Sequence, residues 1–560
     1  MRPKTQRRPD RDILLLSSAA TAVSLLSLLY YFQRGEILLY GDAIAHINIA
    51  RRVFDSQTPG LLQLGTVWLP LPHLLMIPFV WSDWLWRSGI GGSIPSMVAY
   101  VFGVIGIYRL ARGVLAGDER TQSLARVGAW SAALVYGANA NLLYLQTTAM
   151  TEAVYLAFFV WGVTYFWEWI RKPVATGGTG EHEGSARLWK CAACLAGAEL
   201  TRYDGWFLAT VVGAVVAIMA LRHWSDGQFR RAAAKFLVAI AAAPILWLGY
   251  NAAVYGDPLE FARGPYSAKA IEQKTAKPGY PAHPGSGNLL VAGSFFMKSA
   301  ELNMAPGNWG RIWVAVVLGA AILLVITIRA AGVVFLLLGT PLIFYALSIA
   351  YGGVPLFLPT WWPHTWYNIR YGQQFLPLFA VSLALMMALS SEIPHVASRY
   401  STQRLKVVTG CAVIVIVGAC YLAVWHAQPL CFTEAWVNSR TKLVLEASVA
   451  RVVSRMPLNS KYLMYVGDHV GAFQQAGIPL RQVINEGNHR PWVRPEDPEG
   501  LWERALANPA AFVDFVIAFD GDALDERIDK QRLKLIAEIH TTGQPHAKIY
   551  EARAALNQSR

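Results

Sequence analysis

The residues best placed to do chemistry are ionisable side chains at the ends of long apolar runs, where charge is costly to keep. Asp42 follows Tyr40-Gly41, and we predict that a helix restarts there over residues 42–54. His46 lies four residues after Asp42, a spacing that puts both side chains on one helical face. The pair is suited to acid–base work or to holding a divalent metal ion, and Asp42 could equally be a simple helix cap.

Glu152 is the second acidic candidate, because it stands at the start of the predicted membrane span 151–170. A carboxylate is favoured at a helix N-terminus by the helix dipole alone. Glu152 and Asp42 are predicted on the same side of the helical bundle, so these two carboxylates can also share a site. Both interpretations of Glu152 stay open.

Several cationic and aromatic residues are suited to an anionic group. Arg370-Tyr371 precedes the span 371–390, and an arginine at a membrane edge can hold a phosphate with two hydrogen bonds. Snorkelling, interface anchoring and local ion pairs explain such residues equally well. The other members of this set are Arg51, Arg52, Arg202, Arg263, Tyr266, Lys269 and His364.

Other short patterns are weaker. Cys191 and Cys194 lie in an apolar helical run, which indicates packing rather than metal or redox chemistry. Asp520-Gly521-Asp522 follows a predicted strand, where a turn is the simpler interpretation. The sequence contains no phosphate-binding glycine loop and no nucleophile elbow, so ATP-driven transport and serine hydrolysis have no support.

The elements that position these residues follow from the composition. The chain has 560 residues, of which 54% are hydrophobic and 15% charged, against roughly 25% charged in soluble domains. This excludes a soluble enzyme and predicts an all-α polytopic membrane bundle with about eleven spans of roughly 20 residues each. The predicted spans are 13–32, 94–112, 127–145, 151–170, 188–203, 205–223, 235–254, 311–329, 331–351, 371–390 and 406–426.

The basic residues before the first span, Arg2 to Arg11, predict a cytoplasmic N-terminus. Alternation then places the loops 33–93, 255–310 and 352–370 outside. Residues 431–560 alternate short apolar runs with helical patterns, which predicts a small extracytoplasmic soluble α/β domain after a membrane domain of residues 1–430. The loop 33–93 contains two short amphipathic runs, 42–54 and 73–87. The run 73–87 is too short to span a membrane and suits a helix that lies in the membrane interface.

The formal net charge of +13 lies almost entirely in the membrane domain, because residues 431–560 carry 16 basic and 16 acidic residues. Most of the excess falls in predicted cytoplasmic segments. The basicity therefore records membrane orientation and does not indicate a nucleic-acid partner.

With these residues in place, the chain resembles the GT-C superfamily of membrane glycosyltransferases, in particular the protein O-mannosyltransferases and the aminoarabinose transferases. Asp42, Glu152 and Arg370-Tyr371 with the following Pro377 match acidic and Arg-Tyr positions of that pattern, and the run 69–75 matches a loop segment. Ala43 stands where O-mannosyltransferases have the second acid of an Asp-Glu pair. The bundle loops also lack the external Asp-x-Asp of oligosaccharyltransferases.

This resemblance implies a polyprenyl-phosphate-linked sugar as donor and a lipid, glycan or protein as acceptor, in a bacterial inner or plasma membrane. We expect Asp42 to be the general base, with His46 orienting it or contacting the leaving phosphate. Glu152 would position the acceptor or share the acid–base task. Arg370, with Lys269 or Arg263, would hold the donor phosphate. A divalent metal on Asp42 and His46 is the one cofactor that the residues suggest. The alternatives are a lipid or sugar transporter or flippase, and a scaffold whose C-terminal domain does the work.

Overall fold

The computed structural model describes residues 10–117, 121–171, 179–275, 282–326, 331–390, 402–488 and 497–552. Its first part is a bundle of helices. The longer helices are Arg11–Gln33, Ile90–Leu115, Ala125–Gly137, Glu152–Arg171, Thr179–Glu199, Tyr203–Arg222, Gly227–Tyr255, Leu289–Met304, Asn308–Ile326, Thr340–Tyr351, Leu376–Ser390 and Thr402–Ala427. The shorter ones are Gly41–Arg52, Leu71–Val80, Asp83–Ser88, Ala140–Leu145, Glu260–Arg263, Ala268–Thr275 and Gly332–Leu338.

Among the described residues, seven helical segments are long and apolar enough to cross a membrane, so the chain is an integral membrane protein. They are Arg11–Gln33, Ile90–Leu115, Glu152–Arg171, Tyr203–Arg222, Gly227–Tyr255, Gly332–Tyr351 and Gly410–Val453. The other four predicted spans are also largely helical, but each is shorter, interrupted or more polar than expected. The basic segment before residue 10 and the end of the span 311–329 lie outside the described residues.

Two of these spans are interrupted near the predicted outer face. The span 127–145 divides at Ala138-Asn139, because the Asn139 side chain accepts the Leu142 amide (3.0 Å) and starts a separate helix. The span 371–390 begins as a 3-10 turn, Ile369–Phe375, before the helix Leu376–Ser390. The predicted outer loop 255–310 also contains a buried helix, Leu289–Met304, whose Ser299 hydroxyl donates to the Ile369 carbonyl (2.7 Å).

The C-terminal part holds a helix, Leu430–Val453, and a small sheet, as the alternating pattern predicts. The strands are β1 (Tyr462–Met464), β2 (Val483–Ile484), β3 (Phe515–Phe519), β4 (Lys534–Ile539) and β5 (Ala547–Glu551). The sheet order is β2-β1-β3-β5-β4. β1 is parallel to β2 and β3, and β5 is antiparallel to β3 and β4. The helices there are Val466–His469, Gly471–Ala476, Leu501–Ala507 and Pro509–Phe512.

The sheet domain packs directly on the loop 33–93, which is predicted to be external. The buried Asn48 amide donates to Gln474 Oε1 (2.7 Å), and Gln63 donates to the Gly487 carbonyl (2.9 Å). Apolar residues of both regions form one continuous core. These contacts fix the helix Gly41–Arg52, and therefore Asp42, against the C-terminal domain.

Candidate active site

Arg370 is the centre of a buried ionic cluster at the end of the bundle where the predicted outer loops meet. Its Nη2 lies 2.6 Å from Asp42 Oδ2, its Nη1 lies 3.0 Å from Glu434 Oε1, and its Nε lies 3.2 Å from Glu152 Oε1. The Arg370 backbone amide also donates to Glu434 Oε2 (3.2 Å). The 3-10 turn Ile369–Phe375 sets this geometry, because it presents the amide and the guanidinium of one residue to the same carboxylate.

A second guanidinium, Arg202, extends the cluster towards the bundle interior. Its Nη1 lies 3.2 Å from Glu152 Oε1, and its Nη2 donates to the Tyr345 hydroxyl (2.8 Å). Asp204 lies 3.4 Å from Arg202 Nε and accepts from the same Tyr345 hydroxyl (3.1 Å). Arg202 and Asp204 therefore form a local ion pair, and this pair is joined to the predicted acid Glu152.

Aromatic rings hold the two guanidinium groups apart and in place. The Tyr371 ring centroid lies 4.9 Å from Arg202 Cζ and 5.2 Å from Arg370 Cζ, and Tyr40 lies 5.1 Å from Arg370 Cζ. The Tyr40 hydroxyl donates to the Cys431 carbonyl (2.8 Å). Cation–π contacts of this kind are strongest where water is excluded.

The cluster is rich in carboxylates and opens to solvent at one point. Four acids, Asp42, Glu152, Asp204 and Glu434, face two arginines, and three of these acids are almost fully buried. The exception is Asp42, whose side chain is 41% exposed. Asp42 is thus the carboxylate of this cluster that an incoming group reaches first.

His46 lies one helical turn from Asp42 but faces a different partner. Its Nδ1 lies 2.8 Å from His73 Nε2, and its ring centroid lies 4.7 Å from that of Trp68. Burial lowers the pKa of His46 to about 3 and that of His73 well below its usual range. The two imidazoles are therefore neutral at physiological pH, one donating to the other.

The arginines of the loop 33–93, which is predicted to be external, stabilise the loop itself. Arg51 binds Asp55 (2.7 Å) and Asp83 (2.6 Å) and donates to the Val80 carbonyl (2.8 Å). Burial lowers the pKa of Arg52, and Glu486 opposes this shift. The structure does not bring Arg51 to the Arg370 cluster. Its guanidinium instead donates hydrogen bonds to Asp55, Asp83 and the Val80 carbonyl within the loop.

The other predicted anion-binding residues lie on exposed loop surfaces. Arg263 and Lys269 are exposed, and the Tyr266 hydroxyl accepts from Tyr465 (3.3 Å). His364 is exposed with a left-handed backbone, and its Nδ1 lies 3.1 Å from the Pro359 carbonyl. None of these four makes a contact with Arg370 within the described parts of the chain.

Two residues of this region are not predicted by the sequence, and both come from the helix Leu430–Val453. Glu434 binds Arg370 directly, and the Lys442 ammonium lies 3.5 Å from the point where a Cβ on Gly41 would stand. The only signal for Glu434 is an acid close behind the last apolar run. The predicted domain boundary at residue 431 assigns Glu434 to the soluble domain. In the structure, however, the first turns of this helix contribute to the site at the end of the bundle.

The structure also bears on the suggested metal site. The Asp42 carboxylate is bound to Arg370, and the His46 ring is bound to His73. Within the described residues, neither belongs to a group of three closely spaced metal-ligating side chains. The donor set does not fit a metal ion, so we derive no metal-assisted step at this site.

The helical bundle with its appended α/β domain is similar in fold to solved structures of a membrane-associated protein named ArnT. ArnT from Cupriavidus metallidurans, bound to undecaprenyl phosphate, aligns with 98% of this chain and 99% of its own length at a TM-score of 0.54 and 12% identity. Its apo structure aligns over 97% and 98% at a TM-score of 0.52 and 12% identity.

The Archaeoglobus fulgidus oligosaccharyltransferase in its apo form aligns over 90% of this chain and 69% of its own, at a TM-score of 0.48 and 11% identity. No protein-family model matches the sequence, and no curated protein matches it. The two ArnT alignments cover both chains almost completely. They show that this chain shares its overall fold with ArnT, as the resemblance to the aminoarabinose transferases predicts.

Proposed function

We propose that this chain is a membrane glycosyltransferase that moves a hexosyl or pentosyl group from a polyprenyl-phosphate lipid to an acceptor at the outer face of the membrane. The N-terminus would be cytoplasmic and the C-terminal domain extracytoplasmic, in a bacterial inner or plasma membrane. The observation that carries the proposal is the ionic cluster, in which Arg370 gathers Asp42, Glu152 and Glu434 at one end of the bundle. The ArnT structure of the same fold with undecaprenyl phosphate supports a lipid phosphate as the donor class.

Asp42 is the best general base of the cluster, because its carboxylate is the exposed one. The acceptor hydroxyl or amine attacks the anomeric carbon of the sugar and its proton passes to the Asp42 carboxylate. The bond between the anomeric carbon and the phosphate oxygen breaks, and its electron pair leaves with the polyprenyl phosphate. Attack from the side opposite the leaving group gives an inverted glycoside.

Arg370 has a role in the same step that follows from its present contacts. Asp42 Oδ2 occupies its Nη2 at 2.6 Å, so a donor phosphate must compete for that hydrogen bond. When the phosphate takes this position, Arg370 holds the leaving group and Asp42 becomes free to accept a proton. Glu152 and Glu434 stay on the other two nitrogens and keep the guanidinium oriented.

The test is transfer in proteoliposomes from a panel of radiolabelled polyprenyl-phosphate sugars to extracted envelope lipids, glycans and peptides. We expect the wild type to transfer at least one sugar. Asp42→Asn should lower the rate by about 10²–10⁴, the usual contribution of a positioned general base. Asp83→Asn is the matched control, because Asp83 is an exposed acid of the same external loop.

The transporter alternative predicts a different result from the same vesicles. A flippase would move the labelled lipid across the bilayer without forming a glycoside, and Asp42→Asn would change lipid movement only. Lipid movement without any product in the wild type would refute the proposed function.

A further inference from the structure

The C-terminal sheet carries a group of metal-ligating side chains far from the ionic cluster. Glu538, His540 and His546 each offer one ligand atom, and these atoms lie within 4.8 Å of one another. All three are exposed: Glu538 lies near the end of β4, and His540 and His546 lie in the connection between β4 and β5. In the part of the chain that the structure describes, this is the one such group of three or more His, Cys, Asp or Glu side chains.

Sheet register explains why these side chains come together. The Asp520 amide donates to the His546 carbonyl (3.0 Å), which continues the pairing of Phe519 with Ala547 by one residue. Ile539 also pairs with Ala547, so His540 comes next to His546 from the other side. Asp520, His546 and His540 therefore form a row across three strands. Glu538 lies two residues before His540 and shares its face.

We propose that Glu538, His540 and His546 form a divalent-metal site of the zinc class on this sheet, with Asp520 as the fourth ligand. His546 Nδ1 lies 3.4 Å from Asp520 Oδ2, and His540 Nε2 lies 3.9 Å from Glu538 Oε1. Ligands about 2.0–2.1 Å from a tetrahedral Zn²⁺ ion are about 3.4 Å apart. All four side chains are exposed, so they are free to rotate towards a common ion.

Charge and neighbours favour a cation at this position. Two carboxylates and two imidazoles are a donor set that zinc accepts well. Lys548 Nζ lies 2.6 Å from Asp520 Oδ1, and the other carboxylate oxygen of Asp520, Oδ2, lies 3.4 Å from His546 Nδ1. A second group that orients a metal-ligating carboxylate in this way is typical of metal sites.

A bound ion would have a structural effect. β4 is the edge strand of the sheet and is joined to β3 only through β5. A metal held by residues at the ends of all three strands would tie this edge to the sheet interior. This role is independent of the ionic cluster, so it stands or falls apart from the proposed function.

The experiment measures zinc binding to the full-length, tag-free protein in detergent. Calorimetry gives the stoichiometry and affinity for Zn²⁺, and the visible spectrum of the Co²⁺-loaded form gives the coordination geometry. We expect one equivalent of Zn²⁺, a tetrahedral Co²⁺ spectrum and a raised thermal midpoint. His540→Ala with His546→Ala should weaken binding by more than about 100-fold, because loss of an outer partner alone costs 10–100-fold. His223→Ala, which removes an exposed histidine of the bundle, should change nothing.

Glu538→Gln gives a second measurement that leaves both histidines in place, and it should weaken binding by at least about tenfold. Equal zinc affinity in the wild type and the double-histidine variant would overturn the proposal. So would the absence of a saturable one-equivalent site in a wild-type protein that is folded.

Discussion

Arginine–carboxylate networks lie at both ends of the bundle, and they differ in balance and in exposure. At the end where the chain begins, Arg126 binds Asp12 through two contacts of 2.7 and 2.8 Å, and Arg109 binds Glu168 at 2.6 Å. The arginine side chains there are 70% and 41% exposed. At the other end, Arg370 is 8% exposed and faces three carboxylates.

This difference separates a structural network from a chemical one. Exposed ion pairs contribute little to stability, about 0–1 kcal/mol, and each arginine at the first end is matched by its own acid. At the Arg370 end, acids outnumber arginines in a buried space, which costs free energy unless a further positive or transferable charge belongs there. On the proposed function, the positive charge of the Arg370 end serves the donor phosphate and the exposed carboxylate of Asp42 accepts the proton.

The largest expected effect tests this contrast with the same substitution at both ends. Arg370→Lys should lower kcat/KM for transfer by about 100-fold or more, because an ammonium group cannot contact Glu152, Glu434 and a phosphate in the planar geometry of a guanidinium. Arg126→Lys should change the rate by about twofold or less, because Arg126 is 70% exposed and lies at the opposite end of the bundle from Arg370. Both rates are measured in proteoliposomes with the same labelled donor.

The two variants must contain equal amounts of folded protein, as judged by thermal unfolding in detergent. Equal loss of activity in Arg370→Lys and Arg126→Lys would remove the distinction between the two networks. Full activity in Arg370→Lys would show that the guanidinium is not needed at the leaving group.

How much of this site the sequence predicts depends on how far apart its members are. Asp42, Glu152 and Arg370 are recognisable because each is an ionisable residue at the end of an apolar run. Glu434 is not, because it follows the last span and belongs by composition to the soluble part. Arg51 has the right type and place for a phosphate, but only the folded loop brings it to Asp83.

The same limit applies to the fold. Hydropathy predicts the order of the helices, since the bilayer fixes their length, but only seven of the eleven predicted spans are long apolar helices among the described residues. It does not predict the break at Asn139 or the 3-10 turn before Leu376, because single side-chain and backbone hydrogen bonds decide them. The pairing of His46 with His73 is equally invisible, because it depends on how two short loop helices pack.

That histidine pair gives the second expected effect, since it is a buried polar contact beside the cluster that must stay uncharged. The pKa of His46 falls from 6.5 to about 3 on folding, so protons bind the unfolded chain more tightly. The contribution of His46 to the free energy of unfolding is fully present above about pH 6.5, and it is lost as the pH falls towards 3. At pH 5 the loss from His46 alone is about 2 kcal/mol.

The measurement is the thermal midpoint in detergent at several pH values between 7 and 5, which should fall as the pH falls. His46→Gln with His73→Gln should flatten this dependence whatever its midpoint at pH 7. His469, whose pKa burial also lowers to about 3, is present in both proteins and cancels in the comparison. Identical pH slopes would mean that the pair is not kept neutral by burial.

The smallest expected effect concerns Lys442, which stands beside Gly41 at the entrance to the site. In the described part of the chain no carboxylate lies within ion-pair distance of its ammonium, in contrast to Arg112 at the opposite end, which binds Asp10 at 2.6 Å. A half-exposed cation near a phosphate contributes about 1 kcal/mol, so Lys442→Ala should raise the KM for the donor about fivefold and leave kcat nearly unchanged. Lys442→Arg should restore the KM, and Arg112→Ala should not alter it. A fall in kcat with an unchanged KM would instead place Lys442 in the chemical step. Its positive charge would then offset the excess of carboxylates around Arg370.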